Sequence, residues 1–184
     1  MGKVVVVGIT GASGIIYGRR IAEEIERNAE VRLIISKTAR EIGRHEGVDL
    51  DGFRATSYTN EDLGAVISSG SFRHDGMVVA PCSMKTLAGI SSGYAGTLVT
   101  RAADVTLKER RRCILLLREM PLSRIHLRNM LTAHDAGATV MVASPAFYHR
   151  PRTIDQLVDM VVARVLDHLE IPHDLPVRWS GYDA

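Results

Sequence analysis

The chain has 184 residues, 46% of them hydrophobic, so it can bury one ordinary core and we expect a single domain over residues 1–184. A net charge of +2 gives no basic stripe strong enough to suggest nucleic-acid binding. No run approaches 18 apolar residues and the N-terminus leads straight into a strand, which predicts neither a membrane span nor a signal peptide. Two unpaired cysteines, Cys82 and Cys113, favour a reduced, cytoplasmic protein without zinc or disulfides.

Five short apolar runs predict the strands of the fold. They occupy residues 3–8, 31–35, 77–80, 113–117 and 139–143, and each is rich in Val, Ile or Leu. Their apolar character is continuous rather than alternating, which is typical of strands buried on both faces of a parallel sheet. The segment 46–58 is the least regular and predicts loops around a short edge strand.

Helical patterns alternate with these runs, at residues 13–27, 38–44, 85–92, 101–109 and 123–136, and a last helix with a wide apolar stripe follows residue 153. Thr38 and Glu41 have the spacing of a capping box at the start of the second helix. Strands alternating with helices predict an α/β fold. We expect an open, doubly wound parallel sheet, Rossmann-like or flavodoxin-like, with a C-terminal helix and tail.

A glycine-bearing loop follows the first strand and opens the first helix, at Gly11, Ala12, Ser13 and Gly14. Glycines let backbone N–H groups approach a phosphate, and the helix N-terminus adds partial positive charge. The spacing departs from the dinucleotide fingerprint, and the second strand ends without the acidic residue that would bind a ribose, so a mononucleotide fits better than NAD. Ser13 either donates to that ligand or caps the helix.

A second group of small polar residues follows the third strand and again opens a helix. It comprises Ser83, Met84, Lys85 and Thr86. Because the carboxyl ends of parallel strands meet at one edge, the two helix N-termini predict a two-sided anion cradle there. Cys82, just before this group, is interpreted as a small strand-end residue, since no His follows in a recognisable partner arrangement for a nucleophile.

The segment from Arg101 to Glu119 carries the clearest chemical pattern. On a helix, Arg101 and Lys108 lie seven residues apart on one face. The apolar strand that follows ends at Arg118 and Glu119, and ligands bind at the carboxyl ends of strands in open α/β sheets. A guanidinium beside a carboxylate suggests an anionic substrate and a proton-handling group. Arginines 110–112, in contrast, have the pattern of a solvated surface run.

Three residues nearer the C-terminus each allow two interpretations. Tyr148 follows the fifth strand, where it either donates to a phosphate at the same edge or covers the core; its position favours the site. Arg164 lies along the edge of the last helix's apolar stripe, where a snorkelling arginine would also lie. Trp179, the chain's one tryptophan, more often packs against the body or a neighbouring subunit than serves chemistry.

Taken in order, these motifs resemble the flavin prenyltransferases of the UbiX family. The resemblance is carried by Gly11-Ala-Ser-Gly14, Ile35-Ser-Lys37, Pro81-Cys-Ser83, residues 101–111, Arg118-Glu119, His126-Leu-x-Asn-Met130, Phe147-Tyr-His149 and Arg178-Trp179. It implies that a dimethylallyl phosphate donor alkylates reduced FMN at N5 and then at C6, without a metal, and that the prenylated FMN serves a UbiD-type decarboxylase. It also implies a homo-oligomer, dodecameric in type, whose sites draw residues from adjacent chains. Monophosphate and pyrophosphate donors both stay open.

The resemblance also implies roles for individual residues. The flavin contacts match Gly11, Ala12, Ser13, Ser36, Ser83, Met84, Lys85, Thr86 and Arg118. The prenyl-phosphate contacts match Lys108, Arg118, Tyr148 and Arg164, with Arg101 nearby. The catalytic candidates are Ser13, Glu46, Lys108, Glu119 and Trp179. Cations would stabilise the leaving phosphate, an indole face would offset the allylic positive charge, and a carboxylate or the departing phosphate would accept the C6 proton. How that proton work is divided stays open.

Two other functions stay open. An FMN-dependent cysteine decarboxylase-like flavoprotein would share the sheet and the FMN cradle. It would also place a catalytic His near residues 68–70 and a Pro-x-Met-Asn loop at 118–121, and this sequence has neither. A non-catalytic FMN-binding or delivery protein would keep Lys108 and Arg164 as structural ion pairs.

Overall fold

The computed structural model of the protein describes residues 2–175 and residue 181, so the predicted role of Trp179 lies outside the described residues. The strands are β1 Val4–Ile9, β2 Glu30–Ile35, β3 Thr56–Thr59, β4 Gly76–Cys82, β5 Arg112–Leu117 and β6 Thr139–Val142. The helices are α1 Ile15–Glu26, α2 Lys37–Glu46, α3 Met84–Ser91, α4 Leu98–Lys108, α5 Arg124–Asp135 and α6 Ile154–Leu169. Among the described residues, none of these helices combines the length and apolarity needed to cross a membrane.

All six strands pair in parallel, in the order β3-β2-β1-β4-β5-β6. The direction of winding reverses between β1 and β4, which is the topological switch point where open α/β sheets bind ligands. The predicted α/β class, with an open and doubly wound parallel sheet, is confirmed. The short edge strand is β3, which extends one residue beyond the irregular segment in which it was expected.

The hydrophobic core forms two layers because successive residues of each strand point to opposite faces of the sheet. Leu33 and Ile34, neighbours on β2, lie in separate clusters. One layer packs under α1, α2 and α6, and the other under α3, α4 and α5. Continuous apolarity is therefore required in the buried strands β1, β2, β4 and β5, and burying each Val, Leu or Ile side chain contributes about 1.5–3 kcal/mol.

Helix α1 packs unusually close to β4, through Gly18. A Cβ atom at this position would collide with the backbone carbonyl oxygen of Ala80, so the helix approaches the strand only because residue 18 has no side chain. A second close approach joins the glycine loop to α2, where a Cβ on Gly11 would lie 2.6 Å from Cγ2 of Thr38. The lack of a side chain at Gly18 and Gly11 therefore allows α1 to pack against β4 and the glycine loop to pack against α2.

Two helix starts differ from the sequence prediction, and side-chain capping explains both. Helix α4 begins at Leu98 rather than Arg101, because Thr97 and Thr100 form a reciprocal capping box. Helix α2 begins at Lys37 because the Ser36 hydroxyl accepts from the N–H of Ala39 at 3.2 Å. The predicted capping box at 38–41 is therefore wrong.

Candidate functional site

A cleft of about 580 Å³ opens at the carboxyl edge of the sheet, where the strand order reverses between β1 and β4. Its volume falls within the range of about 300–1,000 Å³ that is usual for small-molecule sites, so a mononucleotide fits. Its walls come from the loop after β1, the first turns of α2 and α3, the residues that follow β3 and β5, and the N-cap of α4. The fold therefore brings segments spread between Thr10 and Glu119 to one place.

Four helices point their N-termini at this cleft. Ser36, Ser83 and Thr97 are the N-caps of α2, α3 and α4, and all three line it. The loop that leads into α1 lines it as well. Each N-terminus presents unsatisfied N–H groups and a partial positive charge. No acidic residue occurs in the first turn of any of these four helices, so the cleft is suited to an anion.

The N-terminus of α1 is capped by a residue far away in the sequence. Its N-cap, Gly14, has φ 93° and no side chain to cap with. The two oxygens of Glu46, the last residue of α2, instead accept from the N–H groups of Gly14 at 2.8 Å and Ile15 at 2.9 Å. Ser13 therefore does not cap α1, and Glu46 holds the glycine loop in place.

The loops that follow β1, β4 and β5 are hydrogen-bonded to one another. The Thr10 hydroxyl donates to the carbonyl of Pro81 at 2.7 Å and accepts from the N–H of Ser83 at 2.9 Å. Nε of Arg118 donates to the carbonyl of Ser13 at 2.9 Å. Because the three loops share these bonds, the floor of the cleft is held in one arrangement before any ligand binds.

All nine residues that match the family's flavin contacts line this cleft, together with Glu119. They are Gly11, Ala12, Ser13, Ser36, Ser83, Met84, Lys85, Thr86 and Arg118. Residues as far apart in sequence as Gly11 and Arg118 are thus placed side by side. Their individual roles in flavin binding stay predictions.

Lys108 lies at the opposite edge of the sheet from the cleft. It ends α4, whose eleven residues span about 16 Å from the N-terminus at the cleft. Its ammonium group pairs with Glu109 at 2.6 Å, and this pairing lowers the pKa of the Glu109 carboxyl. Lys108 also lines a separate cleft at the C-termini of α4 and α5. Arg101 is also engaged, with Nε bonded to the carbonyl of Ser68. Within one chain, Lys108 does not meet Arg118.

Two further predicted phosphate ligands also lie away from the cleft lining. Arg164, on α6, pairs with Asp167 at 2.9 Å and is half-exposed. Tyr148 is half-exposed in the loop after β6, with its ring edge-on to that of His149. Glu119 is the predicted carboxylate that lines the cleft, and its Oε1 accepts from the N–H of Met120 at 3.0 Å.

Sequence reasoning missed several residues of the cleft. Asn60 and Glu61 line it directly after β3, and Asn60 caps α4, with Oδ1 accepting from the N–H of Val99 at 3.0 Å. The polar strand Thr56–Thr59 gives a weak signal, so its carboxyl end was not recognised. Lys37 also lines the cleft, and a lysine in a helix's first turn is a signal that could have identified it.

The buried cysteines and His74 do not form a reactive site at the cleft. Burial raises the pKa of both the Cys82 and Cys113 thiols, the latter to about 12, so neither is a ready nucleophile. His74 precedes β4 at the amino edge, where burial lowers its pKa and Nδ1 contacts the carbonyl of Gly76. Residues 2–175 and 181 contain no group of three His, Cys, Asp or Glu side chains placed to hold a metal.

Comparison with known proteins identifies the family. A family model described as Flavoprotein matches residues 1–166. A probable UbiX-like flavin prenyltransferase of Streptomyces sp. (strain D7) is 49% identical over 97% of this chain and 92% of its own length. The flavin prenyltransferase UbiX of Thauera aromatica is 46% identical over 96% of this chain and 94% of its own.

Solved structures agree with the sequence relatives. AnUbiX (PadA1), solved in complex with FMN and dimethylallyl pyrophosphate, superposes over 100% of both chains with a TM-score of 0.95 and 42% identity. A dodecameric FMN-dependent UbiX-like decarboxylase from Escherichia coli O157:H7 gives a TM-score of 0.92 and 46% identity, over 97% of this chain and 100% of its own. A PPC decarboxylase is 19% identical with a TM-score of 0.62 and shares the fold. The chain belongs to the UbiX family of flavin prenyltransferases.

Proposed function

We propose that the protein is a flavin prenyltransferase that transfers a dimethylallyl group from dimethylallyl phosphate to N5 and C6 of reduced FMN. The observation that carries this proposal is the convergence of four helix N-termini with Lys37, Lys85 and Arg118 on one cleft. The same fold, at 42% identity, has been solved with FMN and dimethylallyl pyrophosphate. The product, prenylated FMN, would pass to a UbiD-type decarboxylase in the cytoplasm.

The cleft supplies what an FMN phosphate and ring require. The helix N-termini and the lysines of the cleft would stabilise the negative charge of the phosphate. Met84 and Ile42 form an apolar part of the wall, which suits the flavin ring. Reduced FMN, when bound, supplies the nucleophilic N5 and C6 atoms. The protein's task is then to hold the allylic donor against those atoms and to exclude water.

Cleavage of the allylic C–O bond leaves negative charge on the phosphate, and cations in a dry pocket stabilise that charge better than water does. Arg118 is the cation placed for this within the cleft. Its Nε is bonded to Ser13, while its Nη groups make no hydrogen bond within the described chain, which keeps them available to the donor. Lys108, Tyr148 and Arg164, with Arg101 nearby, complete the proposed phosphate set.

Closing the ring at C6 releases a proton, and a carboxylate can accept it. Both oxygens of Glu46 already accept backbone N–H groups of α1. Glu119 lines the cleft and accepts one bond from its own neighbour. This difference favours Glu119 as the acceptor and Glu46 as the residue that holds Ser13 and the glycine loop.

A single chain cannot bring Lys108 to the cleft, since α4 separates them by about 16 Å. We therefore propose a homo-oligomer in which Lys108 of one copy completes the cleft of another. The dodecameric assembly of the Escherichia coli O157:H7 relative supports this, and we expect a dodecamer here. The ion pair of Lys108 with Glu109 is exposed, so exchanging it for a phosphate costs little.

The deciding experiment is anaerobic incubation of the protein with reduced FMN and dimethylallyl phosphate, followed by mass spectrometry of the flavin. We expect the flavin to gain one five-carbon unit. A parallel reaction with the pyrophosphate identifies the preferred donor. A flavin that stays unmodified with both donors would contradict the transferase and favour an FMN-binding or delivery protein.

A further inference from the structure

We propose that Thr10 is a positioning residue for FMN: it orients the hydroxyl pair of Ser83 and Thr86, which donates one hydrogen bond to the bound flavin. This inference rests on the proposed function and deepens it. The residues matched to the family's flavin contacts include Ser83 and Thr86 but not Thr10, which follows a different strand. Thr10 comes directly after β1, whereas the pair lies at the junction of β4 and α3.

The Thr10 hydroxyl is fully engaged by the chain itself. Thr10 lines the cleft, yet only 2% of the residue is exposed. Its hydroxyl donates its one hydrogen to the carbonyl of Pro81 at 2.7 Å and accepts the N–H of Ser83 at 2.9 Å. Its own N–H also donates to the carbonyl of Pro81, at 3.3 Å. Thr10 therefore has no hydrogen left for a ligand and acts on one through the residues it is bonded to.

The hydroxyls of Ser83 and Thr86, at the start of α3, share a single hydrogen bond. Their oxygens are 3.0 Å apart, so one hydroxyl donates to the other. Oγ of Ser83 also accepts the N–H of Thr86 at 3.3 Å, and neither hydroxyl has a further partner among residues 2–175 and 181. Two hydroxyls carry two hydrogens, and their mutual bond uses one. The second hydrogen is left without an acceptor in that part of the chain.

This unused hydrogen calls for an acceptor in the cleft. Ser83 and Thr86 are only 9% and 7% exposed, and both line the cleft. A buried donor without an acceptor is destabilising, so such groups are almost always bonded in a native state. Solvent fills this role while the cleft is empty, and a bound flavin that excludes water must replace it. FMN has oxygen and nitrogen acceptors on its ring, its ribityl chain and its phosphate.

Thr10 determines where the hydroxyl pair lies. Ser83 is the N-cap of α3, with φ −73° and ψ 155°, so the backbone at this residue decides the direction of its hydroxyl. The N–H of Ser83 holds that backbone against Thr10, and Thr10 in turn is held to the carbonyl of Pro81. Without the Thr10 hydroxyl, the N–H of Ser83 would lose its acceptor. The start of α3, with the hydroxyl pair, would then no longer be fixed relative to β1.

The test is equilibrium titration of the full-length protein with FMN, which requires no prenyl donor. Thr10→Val keeps the shape of the side chain but removes the hydroxyl, and it should weaken FMN binding roughly 10-fold, as expected when one hydrogen bond is lost. Thr10→Ser restores the hydroxyl and should bind FMN within about twofold of wild type. If Thr10→Val does not fold, Thr10→Cys takes its place, because a thiol has a similar shape and bonds only weakly.

Thr106→Val is the matched control for a purely structural effect. Thr106 is also a buried threonine, and its hydroxyl donates to the carbonyl of Ala102 at 2.6 Å. It lies beside His74, at the amino edge of the sheet and away from the cleft. Urea unfolding measures the stability of both valine variants. Whatever its stability, folded Thr106→Val should bind FMN as wild type does.

A double-mutant cycle tests whether Thr10 acts through Ser83. In a Ser83→Ala background the hydroxyl pair is gone, so adding Thr10→Val should weaken FMN binding by less than about twofold more. Additive effects of the two substitutions would overturn the inference. So would unchanged FMN affinity in Thr10→Val, lost affinity in Thr10→Ser, or equal weakening in Thr106→Val. Those results leave the proposed transferase intact, whereas wild-type protein that fails to bind FMN would contradict both.

Discussion

The two edges of the sheet use their positive charges differently. At the carboxyl edge, Lys37, Lys85 and Arg118 line a cleft beside four helix N-termini and form no ion pair within the described residues. At the amino edge several cations are engaged by the chain itself: Lys108 with Glu109, Arg112 with Glu170, and Arg111 with the carbonyls of Gly70 and Phe72. The cleft that Lys108 lines there faces the C-termini of α4 and α5, which disfavour anions.

This difference divides the cations into two groups. The first group forms bonds within the chain that stabilise the fold, and the second group is available to bind a ligand. Judged from one chain, Lys108 belongs to the first group. The resemblance to the family predicts that it belongs to the second. Both assignments hold together if copies of the chain assemble so that the amino edge of one supplies Lys108 to the cleft of another, and this makes the comparison open to experiment.

The largest expected effect is that of Lys108→Met on prenyl transfer. Methionine keeps the length of the side chain and the helix propensity while removing the charge, so folding should change little. Transfer should fall by about 100- to 1,000-fold, the usual cost of losing one donor to a developing oxyanion. FMN affinity should persist, because Lys108 is proposed to contact the phosphate of the prenyl donor and is not among the residues matched to the flavin contacts. Steady-state rates and FMN titration measure the two effects.

Arg110→Met is the control for this variant, since Arg110 belongs to the same basic run and lies beside Lys108 in the amino-edge cleft. It should retain nearly the full rate. If Lys108→Met also keeps a near-normal rate, Lys108 is a surface ion-pair residue and its assignment to the phosphate fails.

A mixing experiment tests whether the two edges meet between copies. Lys108→Met and Arg118→Met proteins should each be inactive alone. Co-assembled in equal amounts, about a quarter of the sites would combine an intact Arg118 from one copy with an intact Lys108 from another, restoring about a quarter of the activity. Light scattering checks that the mixed assembly is far larger than a dimer. Activity that stays absent in a verified mixed oligomer would show that both residues must come from one chain.

A smaller effect is expected on the pH dependence of the free energy of unfolding, and it should come from His74 at the amino edge. Burial lowers the pKa of His74 below its ordinary value of 6.5, so the unfolded chain binds the proton more readily than the folded one. His74 therefore supports folding fully above about pH 6.5, and this contribution is lost as the pH falls below it.

Urea unfolding at pH 7.5 and pH 5.5 measures this contribution. Wild-type protein should lose more stability between the two than His74→Gln does, while FMN affinity of the two proteins should respond to pH alike. An equal loss of stability in both proteins would show that His74 does not titrate on unfolding.

The smallest expected change is that caused by chelation. Lysine and arginine side chains at the two edges are sufficient to neutralise a monophosphate, so exhaustive treatment with EDTA should leave the rate of prenyl transfer unaltered. The measurement is turnover before and after chelation. Loss of turnover that Mg²⁺ restores would show that the cations of the protein do not suffice.

Most of the sheet was predictable because β1, β2, β4 and β5 are largely buried on both faces, and only continuous runs of apolar residues satisfy that environment. Edge strand β3 is short and polar, so its carboxyl end, and with it Asn60 and Glu61, gave no usable signal. The hydrogen bonds that Glu46 accepts at the start of α1 depend on tertiary packing, because the bonded residues are separated by 32 and 31 positions in the sequence. Local sequence cannot reveal contacts of that kind.

The position of Lys108 in the fold could be predicted from the order of the helices and strands. A helix that connects parallel strands must run back across the sheet, so a residue just before β5 lies at the amino edge. Lys108 shares a helix face with Arg101, but it still lies at the amino edge because it is at the end of the helix. Strand β5 separates Lys108 from Arg118 by its full length, so the predicted phosphate role of Lys108 requires a second copy of the chain.

Gly18 limits how this protein could be redesigned for longer isoprenoid donors. Because the backbone of α1 rests directly on the carbonyl of Ala80, main-chain atoms that substitution cannot trim set the position of α1, and with it that of the glycine loop which leads from the cleft into the helix. Extra room would have to come from rim residues such as Ile42 or Met84, whose side chains can be shortened. Changes of chain-length preference should therefore be found by varying the rim, while libraries that include position 18 should yield mostly unfolded protein.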